Sequence, residues 1–166
     1  MPLNIITFFI FYNLILFSVL GFGFFVSKIF FKNTLKKNLG FVGLFGLFFL
    51  LIYSYYSHLF IPHGYIHNVI ILLIGLFLFV YFIKDFDFLS LKILLIIFLF
   101  LFLILLLFKT HDDFHYYHFP YSYYITQNSL LIGIGQFNHG FRTPSSIFYL
   151  NSLFFLPIAK YYLFYI

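Results

Sequence analysis

Asp112 and Asp113 stand side by side in the stretch KTHDDFHYYHFPYSYYITQNSLLIGIGQFNHGFRTPSS, residues 109–146. A carboxylate at a membrane surface can act as general base toward an acceptor hydroxyl, or hold a divalent cation such as Mg2+ or Mn2+ against a phosphate. Placing either one in hydrocarbon costs about 2.5–3.5 kcal/mol on insertion scales, so both belong at headgroup level, where they could also simply mark a helix end. His111, His115 and His118 are spaced i, i+4, i+7, a pattern that on a helix gathers three imidazoles on one face and suits zinc, copper or haem iron. Pro120 opposes this, because proline disfavours the helical conformation at the residue before it. Arg142 is the sole arginine in a chain whose other cationic side chains are all lysines. Its guanidinium can grip a phosphate through two parallel donors, or it can anchor a helix to lipid headgroups.

Around these residues stand Tyr116, Tyr117, Tyr121, Tyr123 and Tyr124, either an interfacial aromatic belt or the flat walls of a sugar-binding cleft. Gly133 and Gly135 do not make a phosphate loop, since no strand precedes them and no Lys-Ser/Thr follows. The apolar patch 129–134 is too short to cross a bilayer and is expected to lie at the interface or re-enter it. Thr143 and Pro144 are expected as the cap and first position of a following helix.

The elements that must position these groups follow from composition. The chain has 166 residues, 64% of them hydrophobic and only 8% charged, against about 25% charged in a typical soluble domain. With a mean hydropathy of +1.07, it cannot cover itself with a wetted surface. The absence of cysteine excludes disulfides, thiolate metal sites and thiol catalysis. The net charge of +5 sits in short loops between apolar runs, which points to membrane topology and away from nucleic acid. A spanning helix needs about 20 apolar residues. The uncharged runs predict an all-α polytopic membrane protein with about five spans, near 5–26, 39–57, 69–83, 93–108 and 145–162. The first lacks a basic leader and an A-x-A-like site, so it reads as a retained helix. Pro62, His63 and Gly64 predict the turn between the second and third spans.

Lys28, Lys32, Lys36 and Lys37 fill the first loop, and Lys84 and Lys92 the third. The second loop has no lysine, and the fourth has only Lys109 and Arg142. Basic loops face the cytoplasm. The expected topology is therefore multi-pass in a bacterial inner membrane, with the N-terminus and residues 109–143 outside. All seven histidines then fall on the outer side, either as rings tolerated at a wet interface or as a polar site shared by the two outer loops.

Acidic residues just outside an early span, followed by interfacial segments on the outer face, resemble the GT-C glycosyltransferases. The segment from Asp112 onward also resembles a bacterial family of GT-C-like membrane proteins. The matching positions are Asp112 or Asp113, Tyr117–His118, Gly133, Gly135–Gln136 and Pro144–Ser145–Ser146. His139 and Arg142 lie one or two places off that pattern. The resemblance covers the last third of the chain and the layout of the spans before it. It implies a transferase that takes sugar from a polyprenyl phosphate at the outer membrane face. Asp112 and Asp113 would be catalytic, with Mg2+ or Mn2+ as a possible cation. Arg142, His118, His139, Gln136 and Tyr117 would bind the lipid-linked sugar. Such enzymes continue through several further spans, so residues 1–166 are expected to be one N-terminal portion of a larger protein. A non-catalytic or truncated membrane relative, and a His-rich metal or haem protein, are the other function classes.

Overall fold

A computed structural model describes residues 4–31, 38–85, 88–107, 112–130 and 132–164. Among them the fold is all-α. Four long helices come first: α1 (Ile5–Phe31), α2 (Leu39–His58), α3 (Tyr65–Phe82) and α4 (Phe88–Leu107). Two short helices follow, α5 (His118–Gln127) and α6 (Ser146–Ser152), with single 3-10 turns between and after them. The four long helices are each long and apolar enough to cross a bilayer. With so little charge elsewhere, the chain is an integral membrane protein.

The helix bounds show where hydropathy is informative and where it is not. α1 continues past the expected end of its span to Phe31, because Ser27 and Lys28 are compatible with a helix that leaves the hydrocarbon. α3 starts at Tyr65, four residues before its expected span. Its polar first turn, with His67 and Asn68, is therefore helical. The expected fifth span over 145–162 is corrected. The helix there has only seven residues, and it starts after Ser145, whose side chain accepts from the Ile147 N–H, instead of at Thr143–Pro144. Beyond it the backbone turns at Pro157, and Ile158 and Lys160 take positive φ values of 70° and 48°. A β-branched residue at positive φ is costly and holds only where packing fixes it. Ile158 itself is exposed, but its neighbours Leu153, Phe154, Leu156, Ala159, Leu163 and Phe164 are all buried and hold the turn on either side. Much of this apolar run is enclosed by protein, and its helix is too short to span a bilayer.

The chain divides into two compact units. One contains residues 5–50 and 71–108. In it α1 is the most enclosed helix and α4 the least. Small residues let backbones meet, as membrane helices require when lipid supplies no hydrophobic drive. Gly21 of α1 lies against the Gly75 carbonyl of α3, and Gly46 of α2 against the Val19 carbonyl. The Ser18 hydroxyl donates to the Leu72 carbonyl, and the Tyr12 hydroxyl donates to the Phe98 carbonyl of α4 at 2.9 Å.

The other unit contains residues 1–4, 51–70 and 109–166. Its core joins Tyr121 and Ile125 of α5 to Phe148 and Tyr149 of α6, with Tyr117, Ile134 and Phe141 packed against them. Pro120 occupies the first turn of α5, where its missing N–H would have had no helical partner. That explains why α5 includes Phe119 despite the proline after it.

Candidate functional site

Asp112 and Asp113 form the 3-10 turn Asp112–Phe114, with Asp112 exposed and Asp113 half-buried. The Asp113 carbonyl accepts the Tyr116 and Tyr117 N–H groups at 3.2 and 3.1 Å, so this turn sets the entry to α5. Tyr117 and His118 stand at the head of that helix with their rings edge to face at 4.4 Å. On the facing segment, Asn138 caps the turn His139–Phe141 by accepting the Gly140 N–H at 2.9 Å, and its amide donates to the Tyr116 carbonyl at 3.3 Å. Gly140 lies directly on the root of the Tyr117 side chain, where a Cβ would come within 2.6 Å.

These contacts leave a cavity of about 340 Å3 lined by Tyr117, His118, His139, Gly140, Thr143 and Ser145, over a floor of Ile147 and Phe148. Three of the expected binding residues therefore converge, although they are up to 22 positions apart. The other expected site residues are not on this wall. Asp112 and Asp113 precede it, Gln136 is exposed in its own 3-10 turn, and Arg142 is exposed with its Nε donating to the Gly135 carbonyl at 3.4 Å. A second cavity of about 180 Å3 shares His118, Ile147 and Phe148 with the first and adds Phe114, Ser122 and Asn151. His118 stands between the two.

The imidazoles of His118 and His139 and the hydroxyls of Thr143 and Ser145 can all donate to anionic oxygens, and Tyr117 offers a flat face. A metal reading fares worse. His115 lies in a turn and His118 opens α5, so the two share no helical face; His111 and Lys109 lie outside the described residues. Among the described residues no three His, Cys, Asp or Glu side chains converge as metal ligands.

A second polar cluster was only partly visible in the sequence. His63 is completely buried, with its Nδ1 2.6 Å from the Ser152 hydroxyl of α6 and its Nε2 2.8 Å from that of Ser57 in α2. Its ring stacks on His67 at 4.9 Å and meets His58 edge-on at 5.5 Å. The buried Asn68 amide donates to the carbonyls of His63, Ser152 and Phe155 at 2.8–2.9 Å. His58 Nε2 lies 3.0 Å from the Asn128 carbonyl at the end of α5. The two loops expected on the outer side thus meet here. Burial, and then the neighbouring His67 and His58, hold the His63 imidazole down at about 3, so it is neutral at ordinary pH. Nearby, burial and the hydrogen bond with Tyr149 push the Tyr121 phenol up, so it too stays neutral. Single histidines in polar loops carry no sequence signal for burial; the serines that receive His63 come from 6 and 89 positions away.

Compared with protein-family models, curated proteins and solved structures, the chain has no match.

Proposed function

We propose that this chain is part of a membrane transferase that receives sugar carried on a polyprenyl phosphate, with the cavity between α5 and α6 as the headgroup site. The observation that carries the reading is the convergence of Tyr117, His118 and His139 with Thr143 and Ser145 on one open wall. A lipid-linked sugar has an anionic phosphate next to a polar ring. The imidazoles and hydroxyls suit the phosphate, and the Tyr117 and Phe148 rings suit the sugar face. Arg142 directly follows the turn that carries His139 and adds a guanidinium beside this wall. Membrane lipid surrounds the long helices and delivers the polyprenyl chain.

In the transfer step, a carboxylate of Asp112 or Asp113 takes the proton of the acceptor hydroxyl. The acceptor oxygen bonds to the anomeric carbon as the bond from that carbon to the phosphate oxygen breaks, and polyprenyl phosphate leaves. The position of the two aspartates, before the wall instead of on it, favours a second reading: a membrane protein that binds such lipids without chemistry. Binding of polyprenyl phosphate by the protein in nanodiscs, together with glycan transfer in the native cell, separates the two. His118→Ala and His139→Ala should each weaken binding, whereas Asp112→Asn or Asp113→Asn should abolish transfer and spare binding. Normal transfer in the double Asn variant would remove the catalytic role, and absence of binding by the wild type would remove the site.

A further inference from the structure

We propose that His58, His63 and His67 form an acid-operated latch, which fastens the end of the α2–α3 hairpin to α5 and α6 and releases it when the cluster takes up a proton. The fastening is concrete. The His63 backbone N–H donates to the Ile125 carbonyl of α5 at 3.1 Å, and the Leu130 N–H donates to the His58 carbonyl at 3.1 Å. The side chains of His58, His63 and Asn68 add the bonds to Asn128, Ser152 and Phe155 described above.

The hydrogen bonds assign each ring as neutral. The Ser152 hydroxyl donates to the Tyr149 carbonyl at 2.7 Å, so it accepts from His63 Nδ1–H, and His63 Nε2 accepts from the Ser57 hydroxyl at 2.8 Å, a shorter contact than the 3.3 Å from that hydroxyl to the Ser54 carbonyl. His58 Nε2 faces a carbonyl and carries the proton, which leaves Nδ1 a bare, buried nitrogen with no hydrogen-bond partner among the described residues. The Asn68 amide nitrogen is engaged with carbonyls, so its oxygen accepts from His67 Nδ1–H, and His67 Nε2 accepts from the Tyr53 hydroxyl. A further proton on His58 or His67 therefore meets a sealed site or a donor, and one on His63 Nε2 must turn the Ser57 hydroxyl away to the Ser54 carbonyl. The ionisable groups bearing on His63 are His67 from α3 and His58 from α2, and beyond them the Tyr53 hydroxyl meets His67 and the Tyr149 ring of α6 meets His58. They are imidazoles and phenols, none of which offers a negative charge to balance an imidazolium. Opening frees His63 to bind a proton at its ordinary 6.5, whereas closed it is held near 3. Acid therefore favours the open form.

The test is hydrogen exchange of the whole chain in nanodiscs, read as protection relative to the intrinsic rate at each pH. Between pH 7.5 and 4.5 the linkage predicts about a hundredfold fall in protection of the His63 and Leu130 amides. Amides in the middle of α1 should hold their protection. The His63→Gln variant, which keeps a donor and an acceptor but does not titrate, should show a clearly smaller fall, because only His58 and His67 are left to take up a proton. Unchanged wild-type protection, a fall shared by α1, or an equal fall in His63→Gln would each overturn the latch. If His63→Gln does not fold, His67→Gln decides: removing one neighbouring charge should shrink the fall, and a fall of wild-type size overturns the proposal.

Discussion

The closest backbone approach in the membrane unit gives its sharpest test, Gly21→Ala. A methyl on Gly21 is aimed at the Gly75 carbonyl oxygen, and it would also lie 2.7 Å from the Phe79 nitrogen and 2.9 Å from the Gly75 carbonyl carbon. Ordinary contact starts near 3.4 Å. All three obstacles are backbone atoms and cannot rotate aside, so α1 and α3 must separate. Overpacking of this kind costs about 1–3 kcal/mol, and rigid obstacles put it near the top of that range. The separation also stretches the Ser18–Leu72 hydrogen bond, worth about 0.6 kcal/mol in membrane helices. Alanine returns about 1 kcal/mol of helix propensity, which leaves a net loss of about 2–3 kcal/mol. That is roughly a thirtyfold to hundredfold shift in the unfolding equilibrium. Gly43→Ala is the matched control, because its methyl would sit 3.8 Å from a Leu20 methyl in ordinary contact and should be neutral or slightly stabilising. Reversible unfolding in mixed detergent micelles measures both. Gly21→Ala as stable as Gly43→Ala would refute the claim that these helices meet through bare backbone.

Gly140→Ala should displace Tyr117, since its methyl would lie 2.6 Å from Tyr117 Cβ and Cγ, and should weaken polyprenyl-phosphate binding by an amount reflecting about 1–3 kcal/mol of overpacking; wild-type affinity in nanodisc titrations would detach Tyr117 from the site. Arg142→Lys should lower the same affinity while Lys109→Arg leaves it alone, and equal affinities would reduce Arg142 to a headgroup anchor. Asn68→Leu leaves the His63 and Phe155 carbonyls without the Asn68 donor, and the Ser152 carbonyl with only the Phe155 N–H, at about 1–3 kcal/mol for each unsatisfied group, and should lower the melting temperature sharply; a small change would show that the cluster is not a structural pin. For orientation, single cysteines at Phe60 and Phe137, both highly exposed, should react with an impermeant reagent from outside and one at Lys84 should not; the reverse pattern would invert the topology.

The four long helices were legible because an uncharged run of sufficient length has few alternatives to a helix. The Pro62–Gly64 turn was legible from its breakers. The fifth span was not, because hydropathy reports exclusion from water and does not distinguish lipid from a protein core. Phe154, Leu156 and Leu163 satisfy both readings, and only the turn at Pro157–Lys160 decides between them. At the site, the types of His118, His139 and Tyr117 were informative. Their meeting depends on Asn138 reaching back to Tyr116, a contact across 22 residues that no local pattern encodes. His63, expected in the turn between the second and third spans, is fully buried, which no local pattern signals.

The shortness of α6 also fixes parity. Four crossings return a chain to the compartment it left, whereas five deliver it to the opposite one. If the four long helices are the crossings, Asn4 and Phe164 are expected on the same side of the bilayer, whichever side that is. A reporter that matures in only one compartment should give the same answer when attached ahead of α1 or after Phe164. Opposite answers from the two fusions would mean that residues 145–162 cross the membrane.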